Sequence, residues 1–189
     1  MCGIVGIVTK SRDQLKSLDA ATEELAKRGP DFRQVVRYSG IGLGHARLSV
    51  IDTSEKANQP FTDRTKRYTI VFNGEIYNFK ELRQELEQEG IQFDSNSDTE
   101  VLLQLYITEG TQCLERLNGF FAFAVFDKEE QDLFVARDRM GIKPLLYYFD
   151  GTDFIFASEL KAILKFKINK EIDQVSLFNY LQFNYIPSN

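Results

Sequence analysis

The run Phe120-Phe121-Ala122-Phe123-Ala124-Val125-Phe126 constrains the fold more than any other stretch of the chain. Side chains alternate between the two faces of a strand, so an unbroken apolar run makes both faces apolar, and each needs another layer over it. A sheet covered on both sides follows. Further strand-type runs at Leu133–Arg137, Leu145–Phe149 and Phe154–Ala157 are separated only by charged or glycine-containing turns. Neighbours this close in sequence are expected to pair antiparallel, because a parallel pair requires a long crossover.

Upstream, Cys2-Gly3-Ile4-Val5-Gly6-Ile7-Val8 reads as a strand, with two glycines that would admit a neighbouring backbone or a ligand. Leu15, Leu18, Ala21, Thr22 and Leu25 recur at helical spacing, which predicts one helix over Asp13–Lys27 ended by Gly29-Pro30. Strand-type runs follow at Gln34–Tyr38 and Ile41–Val50 around a Ser39-Gly40 turn, then a polar loop over Asp52–Asp63. Tyr68–Asn78 has the pattern of a hairpin with Asn73-Gly74 as a type I′ turn. Asn78 is the expected N-cap of a helix over Phe79–Gln88, and Gly90 its stop. Ser97-Asp98-Thr99-Glu100 has the form of a capping box, opening a helix through Leu102, Leu105 and Tyr106 to Gly110; a short helix is expected over Gln112–Leu117. The tail from Asp173 through Leu177, Tyr180 and Leu181 is helical and apolar on more than one side. It ends at Ile186-Pro187-Ser188-Asn189 with no closing element, as if continued by further sequence.

Composition narrows the function. The 189 residues, 43% hydrophobic and 27% charged, suit one domain with a real core. A net charge of -5 without any Lys/Arg block argues against nucleic acid and anionic membranes and favours small-molecule chemistry. No apolar stretch approaches the roughly 18 residues of a membrane helix, and no signal-peptide pattern opens the chain, so a cytoplasmic protein is expected. Cys2 and Cys113 form neither a disulfide framework nor a zinc set, His45 is the single histidine, and no metal is expected.

Cys2 fits two readings. It could open a buried strand, as free cysteines often do. It could equally be a nucleophile, since removal of Met1 would leave a thiol and a free α-amine on one residue. Their reference pKa values, about 8.5 and about 7.7 to 8.0, lie close enough for easy proton exchange.

Six motifs in order resolve the choice. Met1-Cys2-Gly3-Ile4-Val5-Gly6, Arg28-Gly29-Pro30-Asp31, Gly44-His45-Ala46-Arg47-Leu48-Ser49-Val50-Ile51-Asp52, Asn73-Gly74-Glu75-Ile76-Tyr77-Asn78, Ser97-Asp98-Thr99-Glu100-Val101 and Ala136-Arg137-Asp138-Arg139-Met140-Gly141-Ile142-Lys143-Pro144-Leu145 run the length of the chain. With them the sequence resembles the glutaminase domain of glutamine-hydrolysing asparagine synthetases, class II glutamine amidotransferases of the Ntn-hydrolase type. The resemblance implies an α+β fold, a four-layer αββα sandwich of two antiparallel sheets. It implies that residues 1–189 are a glutamine amidotransferase type 2 domain, with about 173–189 leading into an absent ATP-dependent synthetase domain.

Roles are carried over on the same terms. Cys2 would attack the side-chain amide of L-glutamine to give a γ-glutamyl thioester and ammonia, its α-amine moving the proton. Asn73 and the Gly74 N–H would hold the oxyanion. Arg47 would bind the substrate α-carboxylate, Asp98 and Glu75 its α-ammonium. The backbone at Leu48, Val50 and Ile51 would line the pocket while their side chains enter the core. His45 and Cys113 are expected to be structural, and the Arg137-Asp138 and Lys143-Pro144 pairs scaffold or domain contacts. No cofactor is implied for glutaminase chemistry; ATP and magnesium belong to the missing synthetase domain, which would use the ammonia to make asparagine from aspartate. The partners implied are glutamine and that C-terminal domain, with a homodimer as the other way to cover the tail. The readings from other classes are a different ammonia acceptor and a non-catalytic glutamine-binding module.

Overall fold

A computed structural model of the chain describes residues 1–187. In chain order the elements are strand β1 (Gly3–Val8), helices α1 (Arg12–Lys16) and α2 (Leu18–Glu23), strands β2 (Phe32–Tyr38), β3 (Ile41–Arg47), β4 (Phe61–Thr62) and β5 (Tyr68–Ile76), and helices α3 (Phe79–Gln88), α4 (Asp98–Glu109) and α5 (Cys113–Arg116). Strands β6 (Gly119–Asp127), β7 (Asp132–Arg137), β8 (Leu146–Phe149) and β9 (Phe154–Ala157) and helices α6 (Leu160–Ile163) and α7 (Gln174–Phe183) complete it. One sheet has the order β2-β3-β1-β9-β8, the other β4-β5-β6-β7, and every pairing is antiparallel.

Strand parity builds the layers. Ala122, Ala124 and Phe126 of β6 pack with Ile4, Leu43, Val71 and Phe156 between the sheets. The alternate residues Phe121, Phe123 and Val125 pack outward with Leu82, Leu86, Leu102 and Leu105 of α3 and α4. On the far side, Val5 and Ile7 meet Leu18, Ala21 and Ile163 of α2 and α6. Three apolar layers thus separate four structural ones, and both faces of β6 are covered as its composition demands.

Several expectations are corrected. Asn73-Gly74 is no hairpin turn: β5 runs straight through it, with Asn73 opposite Ala122 and Gly74 opposite Phe121. Pairing of the whole strand with β6 outweighs the local Asn-Gly signal. The single helix over Asp13–Lys27 is two short helices meeting at Ser17, which caps the first through its backbone. β3 ends at Arg47 rather than Val50. The strand runs after Phe120 divide between sheets, β6 and β7 to one and β8 and β9 to the other. Asn78 makes no side-chain cap; its amide instead bonds the Asn118 N–H and the Arg116 carbonyl. The Ser97 cap forms, but Glu100 reaches to the Asp94 and Ser95 N–H groups instead of back to Ser97. The apolar tail helix, by contrast, is found where its sequence put it and leaves its apolar surface exposed: α7 contributes no buried residue, and Phe178 and Leu181 are 65% and 73% exposed. The tail positions 188–189 lie outside the described residues.

Candidate active site

Parity also decides what lies at one end of the inter-sheet layer. The β1–β3 register sets Gly3 against Ala46, and one step further sets Cys2 opposite Arg47. Cys2 shares the inner face of β1 with Ile4, and Asn73 the inner face of β5 with Val71. Where the strands run out, the apolar layer therefore ends in Cys2, Arg47 and Asn73. A pocket of about 160 Å³ opens there. It suits a small metabolite rather than the drug-sized ligands of sites of roughly 300 Å³ and above.

All nine residues assigned by resemblance line this pocket: Cys2, Arg47, Leu48, Val50, Ile51, Asn73, Gly74, Glu75 and Asp98. Val50 and Ile51 differ from expectation in that their side chains are 69% and 39% exposed, because the chain has left β3 and turned into solvent. Cys2 Sγ lies 3.4 Å from the Leu48 N–H and 3.6 Å from the Leu48 carbonyl. Burial pushes its thiol pKa up, against the opposite pull of the Leu48 N–H, the chain's amino terminus and Arg47.

Arg47 is 6% exposed. One of its terminal nitrogens donates to the Ser54 carbonyl at 2.9 Å and to Asn58 Oδ1 at 2.6 Å, and the other to the Asp52 carbonyl. These bonds fold residues 52–58 around the guanidinium. Of its five N–H groups, the Nε–H and one on Nη2 are left without a bond among the described residues.

Beyond its pairing with β4 at Thr69 and Ile70, the edge of β5 away from β6 is open and supplies hydrogen-bond donors. Phe121 directs its N–H and carbonyl to Asp138, away from β5, so Phe121 and Gly74 are a non-hydrogen-bonded pair. The N–H groups of residues 72, 74 and 76 consequently point off the free edge. That of Phe72 goes to Gln59 Oε1 at 2.6 Å and that of Ile76 to Asp98 Oδ2 at 3.1 Å. Gly74 lies between them, and its N–H has no acceptor among the described residues. A Cβ here would sit 2.4 Å from the Phe120 carbonyl oxygen, so the strand can run this way only with glycine. Beside it, Asn73 is 1% exposed and its Nδ2 is buried without a partner.

Asp98 opens α4 and is 6% exposed. Burial pushes its carboxyl up to about 6, with Glu75 adding to the rise and the Ile76 and Thr99 N–H groups opposing it. His45 is fully buried, its Nε2 bonded to the Phe72 carbonyl at 3.0 Å, and burial pushes its ring down to about 3. It lies outside the pocket, as does Cys113, buried in the helix-covered core.

Some residues at the site are ones to which the sequence gives no catalytic or binding role, Lys143 among them as an expected scaffold or domain contact. Gln59 and Lys143 line the pocket, and Lys143 Nζ stands 3.6 Å from the sulfur of Met1, which fills part of the mouth. Arg28 donates from Nε to the Cys2 carbonyl at 2.9 Å and pairs with Glu159. Gly29 lies flat on β3, a Cβ there falling 2.2 Å from Ala46 backbone atoms, and Asp31 receives the Ser49 N–H at 2.7 Å. The Arg28–Asp31 motif thus shapes the backbone on both sides of Cys2 and Arg47. Its presence as a motif was the only available signal. Among the described residues no group of three His, Cys, Asp or Glu could hold a metal, and no helix is long and apolar enough to cross a membrane.

The glutamine amidotransferase domain family matches residues 1–189. Asparagine synthetase [glutamine-hydrolyzing] 3 of Bacillus subtilis is 44% identical over 94% of this chain and 30% of its own length. A putative asparagine synthetase [glutamine-hydrolyzing] 2 of Methanocaldococcus jannaschii is 40% identical over 100% of this chain and 40% of its own. Amidase chry2 of Gibberella zeae is 35% identical over 90% and 27%. The chain therefore spans well under half the length of these relatives. Among solved structures, the glutamine phosphoribosylpyrophosphate amidotransferase from B. subtilis superposes with a TM-score of 0.72 at 24% identity, over 86% of this chain and 43% of that one, and shares the fold.

Proposed function

The chain belongs to the glutamine amidotransferase domain family, and from that premise we propose that it hydrolyses L-glutamine to glutamate and ammonia through a thioester on Cys2. The observation that carries this reading is that Asn73, whose buried Nδ2 has no partner among the described residues, and Gly74, whose N–H has none either, line the same pocket as Cys2. Two fixed donors with nothing to bind in the protein suit an oxyanion that exists only during reaction.

Once Met1 is removed, the Cys2 α-amine takes the thiol proton as Sγ attacks the amide carbon. The oxyanion rests on Asn73 and Gly74, then collapses as the α-ammonium returns the proton to the leaving nitrogen, releasing ammonia. Water attacks the thioester, giving its proton to the amine, and glutamate leaves as Sγ is reprotonated. Arg47 takes the substrate α-carboxylate on its remaining N–H groups, and Asp98 and Glu75 face the substrate α-ammonium. Buried as it is, the thiol stays protonated at neutral pH without such a base, so retention of Met1 would leave the site inert.

In the longer protein that the relatives suggest, residues 1–189 form the amidotransferase domain and about 173–189 lead into a synthetase domain. That domain would use ATP and magnesium to pass the ammonia to aspartate. The reading sets this in the cytoplasm, where the free thiols Cys2 and Cys113 stay reduced. The likeness to an amidase supports a second reading, the same glutaminase serving another acceptor. Mass spectrometry of the purified protein establishes whether Cys2 is the first residue, and glutamate release is then measured for the parent and Cys2→Ser. Equal rates would overturn the nucleophile. Asparagine formation by the protein extended into its downstream coding sequence separates the two acceptors.

A further inference from the structure

Gln59 is 4% exposed. Its Oε1 accepts the Phe72 N–H at 2.6 Å, and its Nε2 donates to the Thr99 hydroxyl at 3.1 Å. One side chain therefore ties the free edge of β5 to the first turn of α4. Both tied points adjoin the site: Phe72 precedes Asn73 and Gly74, and Thr99 follows Asp98. His45 holds the Phe72 carbonyl from the other sheet, so Phe72 is clamped at both backbone groups. Of the N–H groups of residues 72, 74 and 76 on this edge, Gln59 and Asp98 take the outer two, and that of Gly74 has no acceptor among the described residues.

We infer that Gln59 is a positioning residue of the reaction, holding Phe72 so that the Asn73 amide and the Gly74 N–H converge on the oxyanion, and coupling them to Asp98 through Thr99. The inference rests on the glutaminase reading. An uncharged amide is suited to the task, because it accepts from Phe72 and donates to Thr99 at once. A carboxylate would add negative charge beside both Asp98 and the developing oxyanion. A merely structural Gln59 would satisfy a buried N–H and affect folding alone.

Gln59→Met keeps the side-chain length and removes both bonds. In protein whose mass has Cys2 at the N-terminus, kcat for glutamate release should fall about 10- to 100-fold with KM within about threefold, the scale of a small displacement of catalytic groups. With Asn73 already alanine, the same substitution should cost less than about threefold, since the arrangement it holds is already broken. Thr99→Val removes only the hydroxyl that Gln59 meets. It should give the same kcat-selective pattern at smaller size, and it decides the question should Gln59→Met fail to fold. A folded Gln59→Met with kcat within about twofold of the parent, or equal losses in both backgrounds, overturns the inference and leaves the glutaminase reading intact. A parent that releases no glutamate overturns the glutaminase reading, and the inference with it.

Discussion

Asn73→Ala should separate catalysis from stability. Asn73 is 1% exposed and its Nδ2 has no partner among the described residues. An unpaired buried donor costs about 1–3 kcal/mol, and truncation removes that cost. The space left opens into the pocket, so no closed cavity offsets the gain in full. For a chain of this size each kcal/mol moves Tm by about 2–4 °C, so Tm should stay level or rise by a few degrees. Loss of one preorganised donor, by contrast, should lower kcat about 10²- to 10³-fold, about 2.7–4 kcal/mol of transition-state stabilisation. KM should change little, because the contact strengthens only as charge develops on oxygen. Thermal melts and steady-state glutamate release, measured on the same preparation, read both effects. A Tm lower by more than about 5 °C with kcat preserved would make Asn73 a structural residue and refute the reasoning.

Gly29→Ala should destabilise the fold by about 1–3 kcal/mol or more, seen as a lower urea midpoint, since its Cβ would strike Ala46 backbone atoms at 2.2 Å. His45→Gln should keep most activity, which a folded but inactive variant would contradict, and should flatten the acid side of the stability profile. The unfolded chain binds the His45 proton below about 6.5 and the native one only below about 3, so stability rises with pH across that window, by up to roughly 5 kcal/mol. Asp98 acts in the opposite sense: its native pKa of about 6 lies above the usual carboxylate value, so its contribution falls as pH rises through that range. Because an ammonium is better held by the ionised form, KM for glutamine should rise as pH falls through about 6, and Asp98→Asn should abolish that limb. Deleting the chain from Gln174 onward should move Tm by less than about 2 °C, because α7 buries none of its residues.

The layers were legible because they rest on parity. Alternate residues of β6 meet helices on one side and the opposite sheet on the other, and composition alone required both covers. The turn at Asn73-Gly74 was misread because a two-residue signal competes with nine residues of pairing, and Gly74 has no positive φ of the kind a type I′ turn requires. The helix over Asp13–Lys27 was misread because apolar spacing persists through the break at Ser17. The nine pocket residues came through their motifs. Gln59 and Arg28 gained their places at the site only from contacts across the fold, such as that between Arg28 and the Cys2 carbonyl, 26 positions apart, and Lys143, expected as a scaffold or domain contact, proves to line the pocket.

The misread turn and the site have one cause. In a hairpin the Gly74 N–H would lie at an exposed tip. In a continuous strand it lies on an edge whose other donors are taken by Gln59 and Asp98, facing a pocket rather than bulk solvent. Strand pairing fixes the direction of that N–H at no further conformational cost, since the Gly74 φ and ψ are already set by pairing with β6. Asn73, one residue earlier, has its side chain on the inner face beside the end of β1, where Cys2 begins. Consecutive residues thus contribute a backbone donor within the sheet plane and a side-chain donor perpendicular to it, two directions that converge only at a strand edge overhanging the mouth of the sandwich. The same Asn-Gly pair at the tip of a hairpin would retain both donors but lose the second sheet that brings Cys2 to them.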